Sequence, residues 1–370
     1  MSIIEPRNAN QGNRTDGHHL LREAVCEEGA ATSSRRTLAV MESLPMIRPT
    51  TNPYLVQLIH SLESTPGIDV SFLDWRRAIL GPLDVFHVHW PELLVGSHHR
   101  LGRVARRLLT IAFLIRIRLT RVAVVRTLHN LERPSGLARI DLLLLGILDR
   151  LTTLTITLND QTPLPEGQPR RTILHGHYRD WYARHRAPEA IKGRVGYVGL
   201  IRRYKGVGQL IRAFHAMDDP ESTLSVAGRP SSEELENGLL DLAGHDPRIE
   251  FHFQFLEDAE LVSRICESEL IVLPYKHMHN SGTVLAALSL ARPVLVPDNA
   301  VNRALAEEVG PGWIHFFDHK LTRDDLVRAL GAIANRDGRI PDLSRRDWSQ
   351  VGGEHAEAFR TAVALRRVRQ

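Results

Sequence analysis

The chain has few cysteines and few aromatic residues. Its 370 residues include two cysteines, Cys26 and Cys266, and Phe, Trp and Tyr together make up 6%. Two cysteines this far apart in the sequence do not form a disulfide framework, which favours a reducing compartment. The aromatic residues are not interleaved with basic ones, so nucleic acid is not expected as a partner. The net charge of +4 suits other anionic ligands.

Long apolar segments are also absent. No run of about 18 apolar residues is available to span a membrane as a single helix. The first residues, MSIIEPRNANQGNRTDG, contain no apolar stretch typical of a secretory signal. We therefore expect a cytoplasmic protein.

The sequence also lacks acidic metal-binding motifs: it has no D-x-D triplet and no H-E-x-x-H. Three H-x-H pairs are present: His87/His89, His175/His177 and His277/His279. Two histidines at i and i+2 on a strand share one face and can bind zinc. With 19 histidines in the chain such pairs arise by chance, and no carboxylate-rich set accompanies them. We expect no metal and no cofactor, with a metal-dependent hydrolase as the alternative.

What the sequence does contain is a regular alternation of short apolar runs and helical segments. Runs beginning near Thr37, Asp84, Val122 and Leu154 predict strands, and a second series begins at Val195. Asn52-Pro53 predicts a helix start. Strands alternating with helices of about 10–15 residues predict an α/β fold in which helices cover both faces of parallel sheets.

The breaks in this alternation predict five segments. We expect a disordered extension over 1–36, a Rossmann-like doubly wound domain over 37–182 and a linker over 183–193. A second Rossmann-like doubly wound domain should follow over 194–335. Residues 336–370 should form a helical segment that packs back toward the first domain.

A basic, glycine-flanked loop is the strongest local motif. The run Gly199-Leu-Ile-Arg-Arg-Tyr-Lys-Gly follows a predicted strand and opens a predicted helix. Helix N-termini at strand ends bind phosphates, and Arg202 and Lys205 place positive charge where a diphosphate would lie. An ordinary basic turn is the alternative.

A second polar loop precedes the helix that begins near residue 282. Ser281, Gly282 and Thr283 stand at its start, where free amides can hold a phosphate or ribose oxygen. Lys276, His279 and Asn280 should project into the same crevice. A helix cap with exposed polar neighbours is the alternative.

Seven blocks of the sequence resemble a known group of glycosyltransferases. The blocks are TNPYL, HVHWPE, VRTLHNL, ILHGHYRDW, GLIRRYKG, LPYKHMHNSGT and ALSLARPVL, and the similarity runs from about Thr50 to Trp348. They are similar to the β-mannosyltransferases of xanthan- and acetan-type exopolysaccharide assembly, which have the GT-B fold of two Rossmann-like domains facing a cleft. The resemblance implies transfer of mannose from GDP-mannose to a polyprenyl-diphosphate-linked oligosaccharide with inversion. It places the donor on the second domain and the acceptor on the first.

One position departs from the broader retaining GT-B families. Those families carry a glutamate near the start of the last helix, and here Ala286 or Ala287 occupies the corresponding place. The resemblance therefore favours an inverting subgroup, whose donor contacts would come from Lys276, His279, Asn280 and Ser281.

Inversion requires a base that takes the proton of the acceptor hydroxyl. The candidates from the sequence are Glu92, His129, Asp160, Asp180 and Glu42. We favour Glu92, with His129 orienting or binding the sugar. Asp180 lies in a stretch that either closes over the donor or packs the hinge.

The segment Arg100–Arg121 combines seven arginines with an apolar stripe. A basic amphipathic helix of this kind suits the anionic cytoplasmic leaflet. We expect peripheral contact with the inner face of the membrane, which would bring the enzyme to a lipid-linked acceptor. A sheet-packing helix with solvated arginines is the alternative.

Two further readings stay open. The same fold could use UDP-glucose or UDP-glucuronate as donor, because the residues that recognise the base are not identifiable from the sequence. A non-catalytic protein that binds a nucleotide sugar would carry the same loops.

Overall fold

Two parallel sheets organise the part of the chain that the computed structural model describes, residues 36–97, 99–134, 136–334 and 339–368. Leu38–Gln370 form one compact unit. The predicted extension over 1–36 lies, except for Arg36, outside the described residues.

Each sheet has six strands. The first contains β1 Leu38–Glu42, β2 Ile68–Phe72, β3 Val85–Val88, β4 Ala123–Leu128, β5 Leu154–Thr157 and β6 Arg170–Thr172. The second contains β7 Ile191–Val198, β8 Thr223–Ala227, β9 Ile249–His252, β10 Ser268–Val272, β11 Val294–Pro297 and β12 Ile314–Phe317. The spatial orders are β2-β1-β3-β4-β5-β6 and β12-β11-β10-β7-β8-β9.

Helices connect the strands. Those that follow the strands of the first sheet are α1 Pro53–Glu63, α2 Trp75–Leu80, α3 Glu92–Val95, α4 Arg100–Leu119, α5 Arg139–Leu151 and α6 Arg179–Tyr182. The remainder are α7 Val207–His215, α8 Glu233–Ala243, α9 Asp258–Glu267, α10 Gly282–Ser289, α11 Ala300–Val309, α12 Arg323–Ala334 and α13 Trp348–Val368. All neighbouring strands pair in parallel, so their carboxyl ends share one edge of each sheet.

The first sheet is buried on both faces. Successive residues of one strand enter different cores, because side chains alternate across a strand. Val40 and Val85 pack in the core that includes Phe359 of α13. Met41 and Phe86 pack in the core that includes residues of α4 and α5. The predicted α/β fold with two doubly wound parallel sheets is confirmed.

The structure also contains strands that the sequence pattern did not predict, namely β2, β6 and β12. The second sheet begins at Ile191, so the last three residues of the predicted linker 183–193 belong to a strand. Asn52 caps α1 as expected, since its side chain accepts a hydrogen bond from Tyr54 N at 3.0 Å and Pro53 occupies the first turn.

Candidate active site

The basic glycine loop lies at the carboxyl end of β7. Gly199 has φ 123° and Gly206 has φ 69°, both in a region that favours glycine. Between them, Arg203–Lys205 form a 3₁₀ turn, and Gly206 leads directly into α7. A Cβ atom at Gly206 would lie 2.1 Å from the carbonyl oxygen of Pro274, so only glycine allows the loop to approach the segment after β10 this closely.

Two cations in this loop have no acidic partner among the residues that the structure describes. No carboxylate of the described residues lies within 4 Å of the Lys205 ammonium or the Arg202 guanidinium. Lys205 Nζ instead lies 4.9 Å from the ring centroid of Tyr275, and Arg202 donates to the carbonyl of Ile201 at 2.9 Å. Burial lowers the pKa of Lys205. A partly buried ammonium with no carboxylate partner among the described residues can bind an anionic ligand.

The second polar loop is adjacent to the first. Ser281 caps α10 by accepting a hydrogen bond from Val284 N, and Gly282 and Thr283 form its first turn. Thr283 Oγ1 lies 3.5 Å from the position that a Cβ of Gly199 would occupy, which places the N-terminus of α10 beside the basic loop. Lys276 has an exposed side chain, and its backbone N donates to Tyr204 O at 3.0 Å.

His279 and Asn280 contact the first sheet's loops. His279 Nε2 lies 2.8 Å from Thr162 Oγ1. Asn280 Oδ1 accepts from Asn159 at 2.7 Å, and Asn280 Nδ2 donates to the backbone carbonyl of His129 at 3.1 Å. These two predicted donor-binding side chains therefore bridge the ends of β4 and β5 and the start of α10.

Asn159 and Thr162 were not among the residues that the sequence singled out. The signal that would have found them is the polar run Asn159-Asp-Gln-Thr, which follows a buried strand where functional side chains collect.

A chain of hydrogen bonds connects the buried acid Glu42 to His129 at the end of β4. Glu42 lies 2.9 Å from His87 Nδ1 through Oε1 and 3.0 Å from His89 Nε2 through Oε2. His87 Nε2 lies 2.8 Å from Thr127 Oγ1. His89 Nδ1 lies 3.0 Å from His129 Nε2. Glu42, His87 and His89 are buried, and His129 is partly exposed.

Burial and neighbouring charges set the protonation of this cluster. Burial lowers the pKa of His89 to about 4, and burial, with the neighbouring His89, places that of His129 well below the usual value. Burial raises the pKa of Glu42, but the two histidines that it accepts hydrogen bonds from outweigh this and hold it well below its usual range. At neutral pH, Glu42 is therefore a carboxylate, and His89 and His129 are neutral imidazoles.

Aromatic rings enclose His129. Trp90 stacks on it with centroids 4.4 Å apart and an interplanar angle of 19°. The ring of Tyr54, from the first turn of α1, meets His129 edge-on at 5.3 Å. Tyr54 also contacts His175 and Trp348. This packing fixes the orientation of the imidazole.

The other predicted bases lie apart from this chain of hydrogen bonds. Glu92 begins α3, and its carboxylate makes no hydrogen bond to any residue in the described ranges. Asp160 lines a cavity of about 110 Å³ that includes Asn159 and Asn280. Asp180 lines a different groove, beside Ser61 of α1. The structure thus joins Glu42 to His129 and leaves Glu92 and Asp180 outside the cluster.

The metal alternative is confined to one group. Glu42, His87 and His89 are the one group of three or more His, Cys, Asp or Glu side chains, within the described ranges, whose ligand atoms lie close enough to share a metal ion. Each of these ligand atoms is already hydrogen-bonded within the cluster, at 2.9 to 3.0 Å. We therefore interpret the cluster as a hydrogen-bond network.

The segment predicted as a basic amphipathic helix is α4. Its exposed face carries a stripe of large apolar residues: Leu101, Val104, Leu108, Ile111, Ile115 and Leu119. Arg107 pairs with Asp141, and Arg116 donates to backbone carbonyls near α2, whereas Arg100, Arg103, Arg106 and Arg118 are exposed. None of the helices described here has the length and hydropathy of a membrane-spanning segment.

Ala286 and Ala287, the positions of the missing glutamate, lie buried in the core of the second sheet. No carboxylate is therefore contributed at this point of α10.

The comparisons with known proteins agree on the class of enzyme. Residues 192–332 match the family described as Glycosyl transferases group 1. Two proteins of Xanthomonas campestris pv. campestris, each named GDP-mannose:glycolipid 4-beta-D-mannosyltransferase, are 38% identical over 335 residues, which is 90% of this chain and 95% of theirs.

Solved structures share the fold at low identity. Anabaena HepE in complex with UDP aligns with a TM-score of 0.59 and 13% identity over 88% of this chain and 100% of its own. Sucrose-phosphate synthase from Thermosynechococcus elongatus aligns with a TM-score of 0.55 and 15% identity over 90% and 98%. These similarities support the GT-B fold.

Proposed function

We propose that this chain transfers mannose from GDP-mannose to a polyprenyl-diphosphate-linked oligosaccharide. The chain belongs to the GDP-mannose:glycolipid 4-beta-mannosyltransferase family of GT-B glycosyltransferases. The new linkage would be β, formed by inversion, in the assembly of an exopolysaccharide. The names of the two Xanthomonas relatives support GDP-mannose as donor, a glycolipid as acceptor and a β linkage. The absence of an acid at Ala286 and Ala287 supports inversion.

The observation that carries the proposal is two cations that lie beside two helix N-termini and have no carboxylate partner in the described ranges. Lys205 and Arg202 lie where α7 begins, and Thr283 brings the start of α10 next to them. When the bond between the anomeric carbon and the diphosphate breaks, negative charge grows on the leaving GDP. Preorganised cations and helix N-termini stabilise that charge.

These cations also support the proposal that transfer needs no metal ion. In metal-dependent transferases a divalent cation neutralises the diphosphate and is held by acidic residues. Here the loops around the proposed diphosphate site offer Lys205, Arg202 and backbone amides. The expected result is full activity in the presence of a chelator.

We also propose that α4 binds the anionic inner face of the membrane. Leu101 is 86% exposed and Leu119 is 75% exposed, at opposite ends of one apolar stripe. Exposed arginines accompany the stripe, which matches the pattern of a helix lying in the membrane interface. Such contact would keep the enzyme close to an acceptor attached to a lipid.

Donor choice is tested by thermal shift and by transfer. GDP at saturating concentration should raise the unfolding temperature, and UDP should not. Purified protein with GDP-mannose and lipid-linked glycan should give a mannosylated product. Stabilisation by UDP alone would support the UDP-sugar alternative, and GDP binding with neither transfer nor donor hydrolysis would support a non-catalytic protein. Activity lost to a chelator would support metal dependence.

Membrane contact is tested with vesicles. The triple variant Leu101→Gln, Leu108→Gln and Ile115→Gln should bind vesicles containing phosphatidylglycerol at least about tenfold more weakly, because one buried leucine contributes about 1.5–3 kcal/mol. Ile340→Gln, at a position 68% exposed outside the stripe, is the control. Equal binding by the triple variant and the wild type would contradict the proposal.

A further inference from the structure

The chain of hydrogen bonds from Glu42 ends at a histidine in the crevice between the two sheets. His129 is partly exposed, and its backbone carbonyl accepts a hydrogen bond from Asn280 in the loop before α10. The acid at the other end, Glu42, is fully buried. A carboxylate in that position does not reach an acceptor sugar itself, and it acts on the crevice only through the histidines.

The distances permit one assignment of protons when all the imidazoles are neutral. Glu42 accepts from His87 Nδ1–H and from His89 Nε2–H, since an ionised carboxylate only accepts. His89 Nδ1 is then a lone pair, so His129 Nε2–H donates to it. His87 Nε2 accepts in the same way from the Thr127 hydroxyl.

This assignment decides which nitrogen of His129 is free. With the proton on Nε2, Nδ1 carries a lone pair. None of the residues that the structure describes makes a hydrogen bond to His129 Nδ1. The atom is therefore not buried, since it is absent from the buried polar atoms without a partner. The network therefore presents an imidazole lone pair in the crevice, with its tautomer fixed from behind.

We propose that His129 is the base of the transfer reaction, and that His89 and Glu42 are positioning residues that hold its tautomer and stabilise its charge. This inference rests on the proposed inverting transfer. It assigns the base to His129 rather than to Glu92, whose carboxylate makes no hydrogen bond to the described residues. The arrangement has the logic of a catalytic triad, in which a buried carboxylate orients a histidine and stabilises the imidazolium that forms.

The step balances without a further reactant. The acceptor hydroxyl gives its proton to His129 Nδ1 while its oxygen bonds to the anomeric carbon of mannose. The bond from that carbon to the diphosphate oxygen breaks, and its electron pair leaves with GDP. The positive charge on His129 is shared along Nε2–H to His89 Nδ1, and from His89 Nε2–H to the Glu42 carboxylate.

The surroundings keep the base neutral before reaction. The titratable and charged groups around His129 are His89, His87, His175 and Arg126, and all four lower its pKa, as burial does. Tyr54 and Trp90 contact its ring. Because these groups disfavour the imidazolium, the carboxylate of Glu42 is needed to offset them as the proton arrives.

The main test is His129→Ala measured for both binding and transfer. GDP affinity should stay within about threefold of the wild type, while kcat should fall by about 10²- to 10⁴-fold. Exogenous imidazole should restore part of the lost rate, since it can take the proton in the vacated space. His245→Ala, an exposed histidine of the second half, should keep the wild-type rate.

The positioning role has its own readout. Glu42→Gln removes the negative charge behind His89, so the pKa of His129 should fall and the acid limb of the kcat profile should move to lower pH. The maximal kcat should also fall, with GDP affinity unchanged. If this buried variant does not fold, His129→Ala with imidazole rescue still decides the assignment of the base.

The outcomes separate this inference from the proposed function. Transfer at the wild-type rate by His129→Ala would overturn the assignment and leave mannosyl transfer intact. Loss of activity that imidazole does not restore, together with lost GDP binding, would also overturn it. Failure of the wild type to transfer mannose would refute the proposed function instead. Stoichiometric metal in the purified protein, lost in His87→Ala, would overturn the hydrogen-bond network.

Discussion

Replacing Lys205 with methionine should weaken donor binding without weakening the fold. Methionine keeps an unbranched side chain that packs against Tyr275 but removes the ammonium. Among the residues that the structure describes, that ammonium has no carboxylate partner, and burial lowers its pKa. A lysine whose folded pKa is depressed destabilises the folded protein at pH values below that pKa, so removing it should leave the unfolding temperature unchanged or raised.

The loss in binding can be estimated from the chemistry of one contact. A charge-assisted hydrogen bond to a phosphate is worth about 1.5–3 kcal/mol. At about 1.4 kcal/mol per tenfold change, the Kd for GDP should rise by about 10- to 150-fold. Isothermal titration of GDP measures this directly, and kcat/KM for GDP-mannose should fall at least as much, because leaving-group charge develops in the transition state.

The control is Lys320→Met, at an exposed lysine in the segment that follows β12. It makes the same chemical change outside the loops at β7 and α10, so the Kd for GDP should be that of the wild type. Unchanged GDP binding by Lys205→Met would refute the assignment of this loop as the diphosphate site. A large fall in its unfolding temperature would show instead that Lys205 is structural.

Three further predictions concern the fold around the site. Gly206→Ala should weaken GDP binding and lower the unfolding temperature, because its Cβ would lie 2.1 Å from a backbone oxygen. The control Gly238→Ala has open space around its Cβ and should change neither. Equal behaviour of the two variants would contradict this prediction. Gly176→Ala should lower the free energy of unfolding by about 1–3 kcal/mol in a denaturant titration, because its Cβ would lie 2.3 Å from the ring of Trp348. The unfolding temperature should fall as the pH drops from 6.5 toward 4. His89 has a pKa near 6.5 in the unfolded chain and about 4 in the folded protein, so the unfolded chain binds the proton first and is favoured. A constant or rising unfolding temperature over that range would show that the buried histidines do not limit stability.

The class of fold could be predicted from the sequence because short, mostly apolar runs alternate with helical segments. The strands Val85–Val88 and Leu154–Thr157 are buried along their whole length, and Ala123–Leu128 is buried except at Arg126 and Leu128. Strand β6, Arg170–Thr172, is a polar edge strand of three residues, and its pairing with β5 holds it in place. Propensity does not reveal such a strand, because tertiary pairing decides it.

The two loops at β7 and α10 were more predictable than the cluster around Glu42. A glycine loop after a strand constrains its own geometry, so Lys205 and Thr283 could be placed from local sequence. The link between Glu42 and His129 depends on β1, β3 and β4 lying side by side, and these strands are about 40 residues apart in the chain. The H-x-H pair at His87 and His89 was visible, but the acid facing it was not.

The central claim is that this chain inverts the anomeric centre of mannose during transfer from GDP-mannose. The most direct measurement is the anomeric configuration of the product, determined by NMR after incubation with GDP-mannose and a polyprenyl-diphosphate-linked glycan. A β-mannosyl product is the predicted result. An α-mannosyl product would contradict inversion and remove the need for His129 as a base.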